Sequence, residues 1–223
     1  MFRNETLLAT LTTRQNTNET CCDFYAICHP YAVRVTTTAV LLAAGGGTRF
    51  AGTTHKLLAT IERVPVFRRS LDHLVEAAFD RVVVVTGAVA LDIKDRGVTT
   101  VHNPSWVEGQ AGSLQLALSA AADLGSDVVV VGLADQPFIP ASAWRAVADA
   151  TTTAPIVVAT YGGVRGPNPV RLHSSVWPHL PTDGDEGAKP VMRLHPNWVD
   201  EVACEGSAAD IDTLEDLRSW TNF

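Results

Sequence analysis

The chain has 223 residues, enough for one generous domain, with 46% hydrophobic and 18% charged residues, a balance that supports a buried core and excludes global disorder. Its formal net charge of −7 comes without any basic cluster, which excludes a general nucleic-acid or anionic-membrane surface. No apolar run reaches the roughly 18 residues of a membrane helix, and no basic segment leads into an apolar one at the N-terminus, so a cytoplasmic, leaderless protein is expected.

Residues 1–35 are rich in Thr and Asn and carry no sustained periodicity, so they read as a flexible N-terminal extension outside the fold. Cys21, Cys22, Cys28 and His29 lie there at spacings that match no familiar zinc pattern, and with Cys204 they suit a reduced compartment. Residues 36–223 read as a single domain.

From Thr38 onward, short apolar runs alternate with helical patterns. Strands are expected at Ala39 to Ala43, Arg81 to Val85, Val98 to His102, Asp127 to Gly132 and Ile156 to Thr160. Several are unbroken Val and Leu runs, as in strands covered on both faces. Helices are expected around Val66 to Ala78, Ser113 to Leu124 and Ala141 to Ala150; in the second, Leu114, Ala117, Leu118, Ala121 and Leu124 repeat at helical spacing. A glycine-turned β excursion over Tyr161 to Leu172 precedes short helices at Ser174 to Leu180 and Ala188 to Leu194, a strand near Trp198 to Cys204 and a helix after Asp212. This alternation predicts an α/β fold of three layers, a Rossmann-like, mostly parallel mixed sheet with helices on both faces.

Ligands of such sheets gather beyond the carboxyl ends of the strands, which directs attention to three loops. The first carries Gly45, Gly46 and Gly47, whose backbone N–H groups can approach phosphate oxygens, with Arg49 and Lys56 supplying positive charge. It fails the GxGxxG fingerprint, because Phe50 stands where the third glycine belongs. It fails the Walker A pattern, because Thr53 replaces the lysine.

The loop after the fourth strand reads Ala134-Asp135-Gln136-Pro137 and sets a carboxylate at the sheet edge, within reach of a cation bound to a triphosphate. A second acidic segment, Asp210-Ile211-Asp212-Thr213, offers another; Asp212 is also placed to cap the last helix. Ser113 is similarly placed to cap its own helix, Asn168 to begin a turn before Pro169, and Trp106 and the other tryptophans to pack.

Taken in order, LAAGGGTRF with Lys56, NPSWVEGQAGSL, ADQP, Gly166-Pro167-Asn168-Pro169, Gly184-Asp185-Glu186-Gly187-Ala188 and DIDTLEDL resemble the molybdenum cofactor cytidylyltransferases, within the glycosyltransferase-A-like nucleotidyltransferases. The resemblance spans about Thr38 to Leu217. It implies transfer of CMP from CTP to the phosphate of molybdenum-bound molybdopterin with release of pyrophosphate. It further implies that Gly45 to Gly47, Arg49 and Lys56 face the triphosphate, with Arg49 and Lys56 catalytic, and that Asp135 and Asp212 hold Mg²⁺. Ala43, Ala44, Gly109 and Ser113 then lie near base and ribose, and Asn168, Pro169, Gly184 and Asp185 on the pterin side. Ala43-Ala44-Gly45, without an extra glycine, resembles enzymes that prefer CTP over GTP, and a molybdenum hydroxylase would receive the product. Two alternatives stay open: a guanylyltransferase or other NTP transferase with a different phosphorylated acceptor, and a non-catalytic carrier of the finished cofactor.

Overall fold

The computed structural model describes residues 36–94 and 97–220; the expected extension and its Cys21, Cys22, Cys28 and His29 lie outside the described residues. The chain enters through β1 (Thr37–Ala43), makes one 3-10 turn at Lys56–Leu58 and a small hairpin of β2 (Thr60–Ile61) and β3 (Val64–Pro65), then runs into α1 (Val66–Glu76). It continues through β4 (Arg81–Thr86), β5 (Thr99–His102), α2 (Gln110–Asp123), β6 (Val128–Leu133), α3 (Ala141–Ala148), β7 (Ile156–Tyr161) and β8 (Val164–His173). It closes with α4 (Lys189–Leu194), β9 (Val199–Cys204) and α5 (Leu214–Ser219).

Seven strands form one sheet in the order β5-β4-β1-β6-β8-β7-β9. β1 pairs in parallel with both β4 and β6, β4 with β5, and β7 with β9, whereas β8 runs antiparallel between β6 and β7. The expected mixed, mostly parallel sheet is therefore observed.

Alternation along β1 sorts the core into two. Ala39, Leu41 and Ala43 pack with Phe67, Leu71 and Leu74 of α1 and Trp144 and Val147 of α3. Val40 and Leu42 face the other way, onto Leu114, Ala117, Leu118 and Ala121 of α2. Because both faces are buried, β1, β4, β6 and β7 keep no polar alternation and read as nearly continuous apolar runs, whereas β5 and β9 towards the sheet edges stay partly exposed.

Three local readings need correction. α2 starts at Gln110, so Ser113 sits inside its first turn and Gly109 is the N-cap. Asp212 does not cap α5: Thr213 does, in a reciprocal capping box with Asp216. Asn168 and Pro169 begin no turn but lie within β8, which a Gly-Pro-Asn-Pro string disguises. The β2–β3 hairpin was not anticipated; its two-residue strands are too short to show a period, and Glu62 and Arg63 make its turn at φ of 51° and 69°.

Candidate active site

β1 is where the strand order reverses: the chain moves to β4 on one side and later to β6 on the other. At such a point the loops leaving neighbouring strands diverge and open a crevice at the carboxyl edge. The loop after β1 carries Gly45 to Gly47, Arg49 and Lys56, and the turn after β6 carries Asp135.

Lys56 is the centre of what assembles there. Its Nζ donates to Oδ2 of Asp135 and to Oδ1 of Asp212, both at 2.6 Å. The Lys56 side chain is only 11% exposed, and burial works to lower its pKa. The two carboxylates outweigh that and hold the ammonium above its ordinary value. Arg49, 76% exposed, reaches in from the surface to Oδ2 of Asp212 at 2.6 Å. Asp210, next along the same segment, has its carboxyl pushed up by burial and by the charges of Asp212 and Asp135.

The residues present fit a divalent cation. Oδ1 of Asp135 is buried without a hydrogen-bond partner, which leaves an anionic oxygen free to ligate. Among the described residues no cluster of three or more His, Cys, Asp or Glu side chains is placed to hold a metal; Asp135 and Asp212, both bonded to Lys56, present a set of two carboxylates. Such a set suits magnesium, which takes one or two carboxylates and completes its octahedron with water and substrate phosphate.

The backbone around this centre is tightly determined. The Ile211 N–H donates to the Asp135 carbonyl at 2.9 Å, fixing the two acidic segments to each other. Gln136, 2% exposed, donates from Nε2 to the Ala208 carbonyl and accepts from Asn168 Nδ2 at 2.9 Å. Tyr161 in turn donates to the Asn168 carbonyl. Asn168 is therefore a buried amide tied to the Asp135 loop, with Pro169 beside it in β8.

Gly109 meets the Gly184-Asp185 pair, distant in sequence, at the start of α2. The Ala111 N–H donates to the Gly184 carbonyl at 2.9 Å and the Gln110 N–H to the Asp185 carboxylate at 3.2 Å, satisfying donors that a helix N-terminus leaves free. Gly109 has φ of 114°, and a Cβ there would sit 2.5 Å from the Gly184 oxygen, so no other residue fits this approach. A cleft of about 70 Å³ lined by Gln110, Leu133, Asn168, Asp185, Lys189 and Met192 holds two of the four residues assigned by resemblance to the acceptor side, Asn168 and Asp185, whereas Pro169 and Gly184 do not line it.

Ala43 and Ala44 are buried at the end of β1, and the Ala44 carbonyl accepts from the Ala88 N–H at 3.0 Å. A larger cavity of about 630 Å³ opens beside Gly87, between the ends of β4 and β5. Ser113 is buried, its Oγ accepting from Asn103 Nδ2 at 2.9 Å. Trp106 lies against the Gly46 backbone, a packing role as expected.

Reasoning from sequence missed Gln136, Asn103 and His55. The first two stand inside distinctive loops, but an amide in a loop carries no signal of burial. His55 had one available signal, its place next to Lys56.

A glycine loop, a lysine and two carboxylates thus converge at the switch point of a Rossmann-like crevice, the place where such sheets take up their ligands. The chain belongs to the MobA-like NTP transferase domain family, whose model matches residues 39–201. It is similar in structure to Rv0371c from Mycobacterium tuberculosis H37Rv, with a TM-score of 0.69 and 27% identity over 85% of this chain and 100% of that one. Rv0371c has also been solved as a complex with manganese, matched at a TM-score of 0.63 and 27% identity over 84% of this chain and 98% of that one. A nucleotidyl transferase from Methanothermobacter thermautotrophicus shares the fold at a TM-score of 0.69 and 20% identity, covering 84% and 96% of the two chains. The bifunctional protein GlmU of Zymomonas mobilis is 36% identical over 100 residues, 42% of this chain, and the match spans 22% of that protein's length. Among the described residues no helix is long and apolar enough to cross a membrane.

Proposed function

We propose that this protein is a Mg²⁺-dependent cytidylyltransferase that moves CMP from CTP to the phosphate of a molybdopterin-type acceptor carrying molybdenum. The observation that carries the reading is Lys56 held between Asp135 and Asp212 at the switch point, with one Asp135 oxygen unpartnered. In the reaction an oxygen of the acceptor phosphate forms a bond to the α-phosphorus of CTP. The bond from that phosphorus to the α,β-bridging oxygen breaks, and pyrophosphate leaves with the bonding electrons. No protein nucleophile is required, because phosphoryl transfer depends on positioning and charge neutralisation.

The chain's own groups divide that work. The Gly45 to Gly47 backbone offers donors to the triphosphate, and Lys56 and Arg49 supply positive charge where negative charge accumulates. Asp135 and Asp212 would hold the Mg²⁺, which when bound neutralises triphosphate charge. Ala43, Ala44, Gly109 and Ser113 belong to the nucleoside side, Ser113 through Asn103. Asn168, Pro169, Gly184 and Asp185 shape the acceptor side. The resemblance of Gly166 to Pro169 and of Gly184 to Ala188 supports the pterin acceptor, and Ala43-Ala44 supports CTP. A cytoplasmic setting and a molybdenum hydroxylase as recipient accompany this reading.

Incubation with molybdenum-bound molybdopterin and each of the four NTPs, with products read by mass spectrometry, tests it. The cytosine dinucleotide and pyrophosphate are expected with CTP and Mg²⁺. A guanine dinucleotide instead, or binding of finished cofactor with no pyrophosphate released, would replace the reading with one of its rivals.

A further inference from the structure

His55 precedes Lys56 and caps the 3-10 turn on which that lysine sits: its Nδ1 accepts from the Leu57 N–H at 3.2 Å. Its other nitrogen, Nε2, lies 3.1 Å from the Gly45 carbonyl. A backbone N–H can only donate and a carbonyl can only accept, so the two contacts together demand an unprotonated Nδ1 and a protonated Nε2. One neutral tautomer satisfies both, and burial favours the neutral ring by lowering its pKa. The imidazole is thus a strut between the glycine loop after β1 and the turn that carries Lys56.

The strut orients a peptide plane. In a trans peptide the carbonyl of one residue and the N–H of the next point to opposite sides. By holding the Gly45 carbonyl, the ring turns the Gly46 N–H away from itself. The loop is crowded on that flank: a Cβ on Gly47 would stand 3.3 Å from Nε2 and 3.0 Å from Cγ of Lys56. Three consecutive glycines have the widest choice of backbone conformation of any tripeptide, so something must select one.

We infer that His55 is a positioning residue for nucleotide binding, its Nε2–H setting the Gly45–Gly46 peptide so that the loop meets a triphosphate with its N–H groups preorganised. The inference rests on the nucleotidyltransferase reading of the site. It separates two jobs of one ring, helix capping through Nδ1 and loop orientation through Nε2, and the two can be removed individually.

Asn at position 55 retains a short acceptor for the Leu57 N–H but does not reach Gly45. Gln extends a donor toward Gly45 but is a poor cap. The full-length wild type and H55N, H55Q and H55A are compared by thermal melting and by calorimetric titration with CTP, GTP and inorganic tripolyphosphate, each with Mg²⁺. H55N should melt close to wild type yet bind nucleotide and tripolyphosphate about 10-fold more weakly, roughly the loss of one good hydrogen bond. H55Q should melt lower and recover most of the affinity, while H55A loses both. H55N binding as tightly as wild type, or H55Q binding as weakly as H55A while still folded, overturns the inference and leaves the nucleotide site standing. Wild type that binds none of the three probes overturns the reading of the site itself, and the role of His55 with it.

Discussion

The Nζ of Lys56 and Oδ2 of Asp135 stand 2.6 Å apart across 79 positions of sequence, at the junction of the loops leaving β1 and β6. The same ammonium meets Asp212 from 156 positions away. Three segments with no local relationship thus share one buried charge centre, and most testable consequences follow from that.

Replacing Asp135 or Asp212 with Asn removes the anionic oxygen but keeps the shape and one acceptor for Lys56. Turnover should fall by about 100-fold or more in each variant, the scale seen when one preorganised electrostatic contact is lost. Circular dichroism should stay unchanged. Near-normal rates in both variants would refute the assignment of these carboxylates.

Changing Lys56 to Met leaves two carboxylates facing each other without their shared cation. Breaking a buried pair in this way should cost up to about 3 kcal/mol in urea unfolding. Nucleotide affinity and kcat should fall together. Mn²⁺ alone should raise the melting temperature of K56M more than that of wild type, because the two carboxylates are no longer neutralised by the ammonium and attract the cation more strongly. Equal shifts in the two proteins would show that the carboxylates do not take up the metal.

His55 gives a pH dependence of definite sign. Burial, aided by the positive charge of Lys56, lowers its pKa from the ordinary 6.5 despite the Gly45 and Gly46 carbonyls. The fold favours the neutral ring, so its contribution to stability is complete above 6.5 and disappears as pH falls through the lowered native value. The stability difference between wild type and H55A, measured by urea unfolding from pH 8 to pH 5, should therefore shrink on acidification. A difference that is constant or grows would contradict the neutral-tautomer strut.

Gly132 in β6 lies under Trp144 of α3, where an added Cβ would stand 2.5 Å from Cη2 of the indole. Trp144 is 2% exposed and among the largest fully buried side chains of the core. G132A should destabilise the protein by about 1–3 kcal/mol, the usual penalty for overpacking. Calorimetry measures it; a neutral change would mean that the core between α3 and the sheet yields easily.

The layered fold was legible because burial on both faces writes itself into β1, β4, β6 and β7 as nearly unbroken apolar runs, and the period of α2 survives in Leu114 to Leu124. Boundaries were less legible. The start of α2 at Gln110 escaped because its capping partners, Gly184 and Asp185, come from another loop, and the Asn168-Pro169 step read as a turn although it lies inside β8, beside the register shift against β7 and outside the residues that pair with β6. Gln136 and Asn103 were invisible as functional candidates, since a polar side chain in a loop looks the same in sequence whether it is exposed or buried in a network, and His55 offered only its place next to Lys56.

The sequence by itself determined the alternation of strands and helices, the glycine loop after β1 and the supply of charged groups, because these depend on neighbours a few residues apart. Tertiary structure decided which of 24 Asp and Glu residues meet Lys56, that Asn168 turns inward to Gln136, and that a histidine ties the glycine loop to the lysine's turn. The first two depend on strand order, and the third on how one loop folds back on itself. In an open sheet the order is set by which faces helices can cover, a global competition among buried surfaces that no local pattern records.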